Sequence, residues 1–106
     1  MEESRLEQFK QLAELEPEDD LVRFGLGTAY FDEGQYDEAA KEFQHAIRLN
    51  PDYSAAYRDL GKALEKAGRP EEAKTVYTQG IEVADRKGDI QTMKEMQIFL
   101  KRLESR

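Results

Sequence analysis

A repeat restricts this chain more than any other feature. Pro17 and Pro51 each stand two positions after a leucine, in ELEP and RLNP, and 51 − 17 = 34. The same offset carries Leu26-Gly27 onto Leu60-Gly61, Gly34 onto Gly68, Ala39 onto Ala73, Phe43 onto Tyr77, Ala46 onto Gly80 and Ile47 onto Ile81. A period of a few tens of residues marks an array in which each unit is one supersecondary element that buries its apolar face on its neighbours.

Within each unit the apolar residues keep helical spacing. Val22, Leu26, Ala29 and Tyr30 share one stripe; Tyr36, Ala39, Ala40, Phe43, Ala46, Ile47 and Leu49 share a second. Gly34 and Gly68 punctuate the two units where a left-handed residue ends a helix, and Pro70 fits a first helical position, where its missing amide hydrogen costs nothing. Each unit therefore reads as a helical hairpin with a very short connection. Small residues (Gly27, Ala39 and Ala46; Gly61, Ala73 and Gly80) fall where paired helices must approach closely. The aromatics Tyr30, Phe43, Tyr57 and Tyr77 fill the space between hairpins.

Composition narrows the function classes. With 106 residues there is room for one domain. Lys and Arg number 16 against 23 Asp and Glu, a formal charge of −7, which repels nucleic acid and anionic membrane. The absence of cysteine excludes disulfides and thiolate chemistry. No stretch is long and apolar enough to span a bilayer, and the acidic start MEESRLEQFKQ is unlike a secretory signal, so the expectation is a soluble, cytoplasmic protein.

The pattern of Leu-Gly, aromatic, Ala, aromatic, Ala and closing Pro resembles the tetratricopeptide repeat (TPR) family, and the chain looks like a small bacterial-type member. Residues 20–53 match, except that Arg23 stands where the family usually carries a bulky apolar side chain. Residues 54–87 match through Tyr57, Leu60, Gly61, Ala73, Tyr77 and Gly80, but Asp85 replaces the closing proline, which predicts that this helix runs on. Residues 5–19 look like the second half of another repeat, with Phe9, Leu12, Leu15 and Pro17 in register with Phe43, Ala46, Leu49 and Pro51. Residues 89–104 carry Ile90, Met93, Met96, Leu100 and Leu103 at helical spacing behind Asp89, a candidate N-cap, and read as a terminal capping helix. The resemblance implies an all-α fold: one domain over 1–106, built as a right-handed α-α superhelix of about six helices.

Catalysis finds no support in the residues. His45, the only histidine, sits on the exposed part of its helix with no partner to make it a base or a ligand; no metal-ligand spacing and no cofactor motif is present. The acidic pairs Asp19-Asp20, Asp37-Glu38 and Glu71-Glu72 fall at helix starts, where they complement the dipole. Gly25, Gly27 and Gly34 follow no strand and form no phosphate cradle. The expectation is a protein that is not an enzyme and holds no metal.

A binding surface is the expectation instead. The resemblance implies a concave groove lined by the first helix of each hairpin, carried by register onto Leu21, Phe24, Thr28, Phe31, Arg58, Lys62 and Lys66. Phe24 and Phe31 lie off the packing face of Leu26 and Tyr30 and are expected to be exposed; Arg58, Lys62 and Lys66, four apart, form a cationic stripe. Charge is polarised along the chain: 2 − 8 = −6 over residues 1–20, 3 − 6 = −3 over 21–53 and 11 − 9 = +2 over 54–106. The expected partner is a protein or peptide with acidic and apolar side chains. Some family members hold chaperone C-termini in a two-carboxylate clamp; Phe24, Thr28 and Asp59 occupy those positions here, so the clamp is absent. A second reading is self-association through the C-terminal helix, with Ile98, Phe99 and Leu103 at a symmetric interface, so that the chain is a monomer or a weak homodimer.

Overall fold

A computed structural model describes residues 3–106. Among the described residues six α-helices follow one another: α1 (Arg5–Leu15), α2 (Asp20–Asp32), α3 (Tyr36–Leu49), α4 (Ser54–Lys66), α5 (Pro70–Lys87) and α6 (Ile90–Glu104). No strand occurs among the described residues.

The helix ends follow from local chemistry. Ser4 Oγ accepts the Glu7 amide of α1 at 3.1 Å, and Asp19 Oδ1 accepts the amides of Leu21 and Val22 at 2.9 and 3.1 Å, so orphan donors at both N-termini are satisfied. Gly34 and Gly68 close α2 and α4 with φ of 77° and 78°, a region that side chains avoid. Pro70 opens α5 as expected. That helix runs on through Asp85 to Lys87, reaching 18 residues against 14 for α3. The extra turn moves everything after it out of the 34-residue register, so α4 and α6 begin 90 − 54 = 36 residues apart. Asp89 caps α6, accepting the Thr92 amide at 3.4 Å and the Ser54 hydroxyl at 2.6 Å.

Each helix packs on the next in sequence. The small residues admit the large ones: a side chain at Gly27 would come within 2.7 Å of the Phe43 ring, and one at Gly61 would overlap the Tyr77 ring. Phe43, Tyr77, Leu64 and Met96 are fully buried, and with Leu60, Ala63, Ala73, Ala84 and Leu103 they form a core running from α3 to α6. Leu6, Ala13, Leu26 and Ala29 form a smaller cluster between α1 and α2. Arg23, in the position that the family fills with a bulky apolar residue, buries its stem and hydrogen-bonds both the Pro17 carbonyl (3.0 Å) and Glu42 (3.1 Å).

Curvature comes from unequal spacing. α2 touches α4 and α4 touches α6, whereas the backbones of α3 and α5 stand apart across a cleft floored by Tyr57 and Leu60. A layer that is close on one side and open on the other bends toward the close side. The result is an elongated body of 45 × 28 × 19 Å whose concave flank is made by α2, α4 and α6.

Candidate binding groove

The groove is three parallel helices wide, and its floor differs from the sequence expectation at its centre. Phe24 is not an exposed ring. It stacks on Tyr53 (centroids 4.9 Å apart, planes 24° apart) and tilts onto Phe43 at 5.5 Å, half-buried against the core. Tyr53 comes from the segment between α3 and α4, so the two rings seal the joint between hairpins. Burial first, then the carboxylates of Asp20 and Asp59, push the Tyr53 phenol above its ordinary pKa, and the platform is neutral at physiological pH.

Arg58 is likewise not a free cation. Its guanidinium bonds Asp59 at 2.9 Å and Glu95 of α6 at 3.0 Å, with 24% of the side chain exposed. Partial burial by itself would lower its pKa; the hydrogen bonds and charges of those two carboxylates outweigh it and hold the arginine firmly charged. The stripe predicted as three cations therefore leaves two, Lys62 and Lys66, exposed along α4.

The remaining groove residues fall into two places. Leu21, 66% exposed, stands at the rim where α2 begins. Thr28, whose hydroxyl donates to the Phe24 carbonyl at 3.1 Å, and Phe31 line a hollow of about 160 Å³ between α2 and α4, together with Asp32, Phe43, Asp59 and Lys62. Phe31 packs edge-on to Tyr36 at 5.1 Å, and the Lys62 ammonium lies 5.9 Å from its centroid.

Beyond that hollow the groove widens into a second, about 350 Å³, where Phe31, Lys62, Glu65 and Lys66 meet Phe99, Arg102 and Arg106. Sequence reasoning missed the last three as groove residues. The signal was present: at the 36-residue offset between α4 and α6, Lys66 corresponds to Arg102, but the added turn of α5 hid that correspondence from a search at the 34-residue period.

The C-terminal helix offers less to a second copy than its sequence suggests. Leu103, at 2% exposure, belongs to the core, and Phe99 is half-buried with its ring 5.7 Å from that of Tyr77. Only Ile98, 58% exposed, remains of the three residues proposed for self-association. His45, expected on an exposed surface, is half-buried on α3. Among the described residues, no helix is long and apolar enough to cross a membrane.

A curved stack of helical hairpins with a groove on the first-helix side defines the class of helical-repeat proteins. Comparison with known proteins specifies the repeat. A TPR repeat family model matches residues 27–68, and a tetratricopeptide repeat model matches 54–87. TPR repeat-containing protein PA0015 of Pseudomonas aeruginosa is 42% identical over 84 residues, covering 79% of this chain and 80% of that one. The solution structure of protein BPP2914 from Bordetella parapertussis superposes with a TM-score of 0.85 at 32% identity, over 98% of this chain and 90% of the other. The first TPR of Spaghetti (RPAP3), solved bound to the HSP90 peptide SRMEEVD, shares the fold with a TM-score of 0.83 at 21% identity, over 94% and 75% of the two chains. The chain belongs to the tetratricopeptide repeat family, whose members generally mediate protein-protein interactions.

Proposed function

We propose that this protein is a non-enzymatic interaction module that holds an extended segment of a partner protein along α2, α4 and α6. The observation that carries the reading is the open hollow between α2 and α4, where Thr28, Phe31 and Lys62 surround space that no described side chain fills. It combines an aromatic wall with a few convergent polar groups, the usual make-up of a ligand site. The Spaghetti domain, which shares this fold, was solved with a peptide bound, and that supports a peptide as the kind of ligand. Two complete hairpins and their neighbours offer a short groove, so affinity rests on a few anchor contacts.

Selection of peptides from a random display library tests the reading. Peptides that win should lose at least about ten-fold in affinity for a Thr28→Arg variant, which fills the hollow, and none for Gln79→Arg in the cleft between α3 and α5. The reverse pattern would place recognition on the opposite flank and overturn the proposal.

A further inference from the structure

The wide end of the groove has a chemistry of its own. Lys62 and Lys66 of α4, Arg102 of α6 and Arg106 just beyond it converge on one hollow, against a single acidic side chain, Glu65, among the lining residues. Counted over side chains, the local balance is 4 − 1 = +3, where the side chains of the whole sequence sum to −7. Glu65 is itself occupied, since its carboxylate accepts the Tyr77 hydroxyl at 2.5 Å. Among the described residues none of the four cations is drawn into an ion pair, although ten such pairs form elsewhere, including the Arg58 bridge to Glu95 in the same groove.

Dipole compensation accounts for part of this. Bases near the C-terminal ends of α4 and α6 are favourable there, and Lys66 and Arg102 occupy those last turns. It does not account for Lys62, which lies a full turn before the end of α4. Four like charges brought together against one acidic side chain repel one another, a cost that an anionic ligand would relieve. Two of the cations also lie against aromatic faces: Lys62 over Phe31, and Arg102 over Phe99 at 5.1 Å. The hollow is thus apolar at its base and cationic at its rim.

We infer that this end of the groove receives an acidic segment of a protein partner, its carboxylates on Lys62, Lys66, Arg102 and Arg106 and an apolar side chain between Phe31 and Phe99. The inference rests on the groove reading and specifies its ligand. Planar guanidinium groups suit paired carboxylates, and the aromatic base gives such a ligand an anchor that charge alone lacks. The site lies further toward the helix C-termini than Phe24, Thr28 and Asp59, so it is a different place from the two-carboxylate clamp. Nucleic acid is the weaker candidate, because the rest of the surface carries the opposite charge.

Two fluorescein-labelled peptides test it: one repeating Asp-Glu-Leu, the other the isosteric Asn-Gln-Leu, titrated against the full chain by anisotropy. The acidic peptide should bind at least about ten-fold more tightly than the amide peptide, weaken as salt rises, and lose that advantage with the double variant Lys66→Glu, Arg102→Glu. Both positions are exposed, so the variant should stay cooperatively folded and melt only a few degrees lower, the cost of reversing two charges at helix C-termini, whereas loss of a cooperative melting transition would mark a structural role for these bases. Equal binding of the two peptides, still sensitive to Thr28→Arg, would overturn the acidic assignment and leave the groove reading standing. Binding that neither Thr28→Arg nor the charge reversal weakens would overturn both. An oligouridylate that binds as tightly as the acidic peptide would also overturn the assignment.

Discussion

The joint between α1 and α2 and the joint between α4 and α5 are built from the same parts, an aromatic ring laid over a helical glycine. A side chain at Gly25 would overlap the Phe9 ring, as one at Gly61 would overlap the Tyr77 ring. Their surroundings differ. Tyr77 is fully buried, sits between α4 and α6, and anchors its hydroxyl on Glu65; burial first, then that carboxylate, push its phenol far above the ordinary value. Phe9 is half-exposed at the edge of a four-residue cluster, on a helix that leaves Leu12 and Leu15 in solvent. The same motif therefore fixes one joint rigidly and the other loosely, because a ring held on every side has no alternative position and a ring at an edge does.

The largest expected effect is on the buried ring. Tyr77→Ala should cost about 4 kcal/mol of unfolding free energy and Phe9→Ala less than about half of that, measured by urea denaturation. Comparable losses would show that α1 is as firmly docked as α5. The glycines sharpen the contrast. Gly61→Ala should destabilise by about 2 kcal/mol, because Tyr77 cannot yield; Gly25→Ala should change stability by less than about 0.5 kcal/mol, since the helix propensity gained offsets a small displacement of Phe9.

A smaller effect tests the joint that closes α6 onto α4. The Ser54 hydroxyl bond holds the Asp89 carboxyl below its ordinary pKa, helped by Thr92. A depressed carboxyl contributes stability that is whole above the unfolded pKa and disappears as pH falls through the folded one. Ser54→Ala should therefore lower the melting temperature by several degrees at neutral pH, about 1 kcal/mol, and the two proteins should converge as the solution is acidified below the ordinary carboxylate range. A gap that persists or widens in acid would contradict the assignment of that bond. The last variant, Lys66→Glu with Arg102→Glu, should cost no more than about 1 kcal/mol, from the helix-end charges it reverses, while removing the acidic-peptide preference.

These contrasts also mark where the sequence was legible. The interval between Pro17 and Pro51, the Leu-Gly pairs and the turn glycines predicted the hairpins, because each encodes a local constraint on backbone or close approach. Asp85 in place of proline predicted the longer α5, and the helix does continue. Phe24 and Arg58 were misread for one reason. Both lie on the groove side of their helices, but what covers them comes from elsewhere in the chain: Tyr53 for one, Glu95 for the other. Leu103 was misread because helical spacing identifies an apolar stripe without saying which side of it the core occupies. Arg102 and Arg106 escaped because the repeat lost its stride at α5.

The claim on which the functional account depends is that recognition happens on the flank where α2, α4 and α6 draw together. A map of backbone amide chemical shifts, taken while the Asp-Glu-Leu peptide is titrated in, tests it directly. The account predicts changes concentrated at Thr28, Phe31, Lys62, Lys66, Phe99 and Arg102. Changes centred instead on Gln44, Arg48, Val76 and Gln79, across the cleft between α3 and α5, would contradict it.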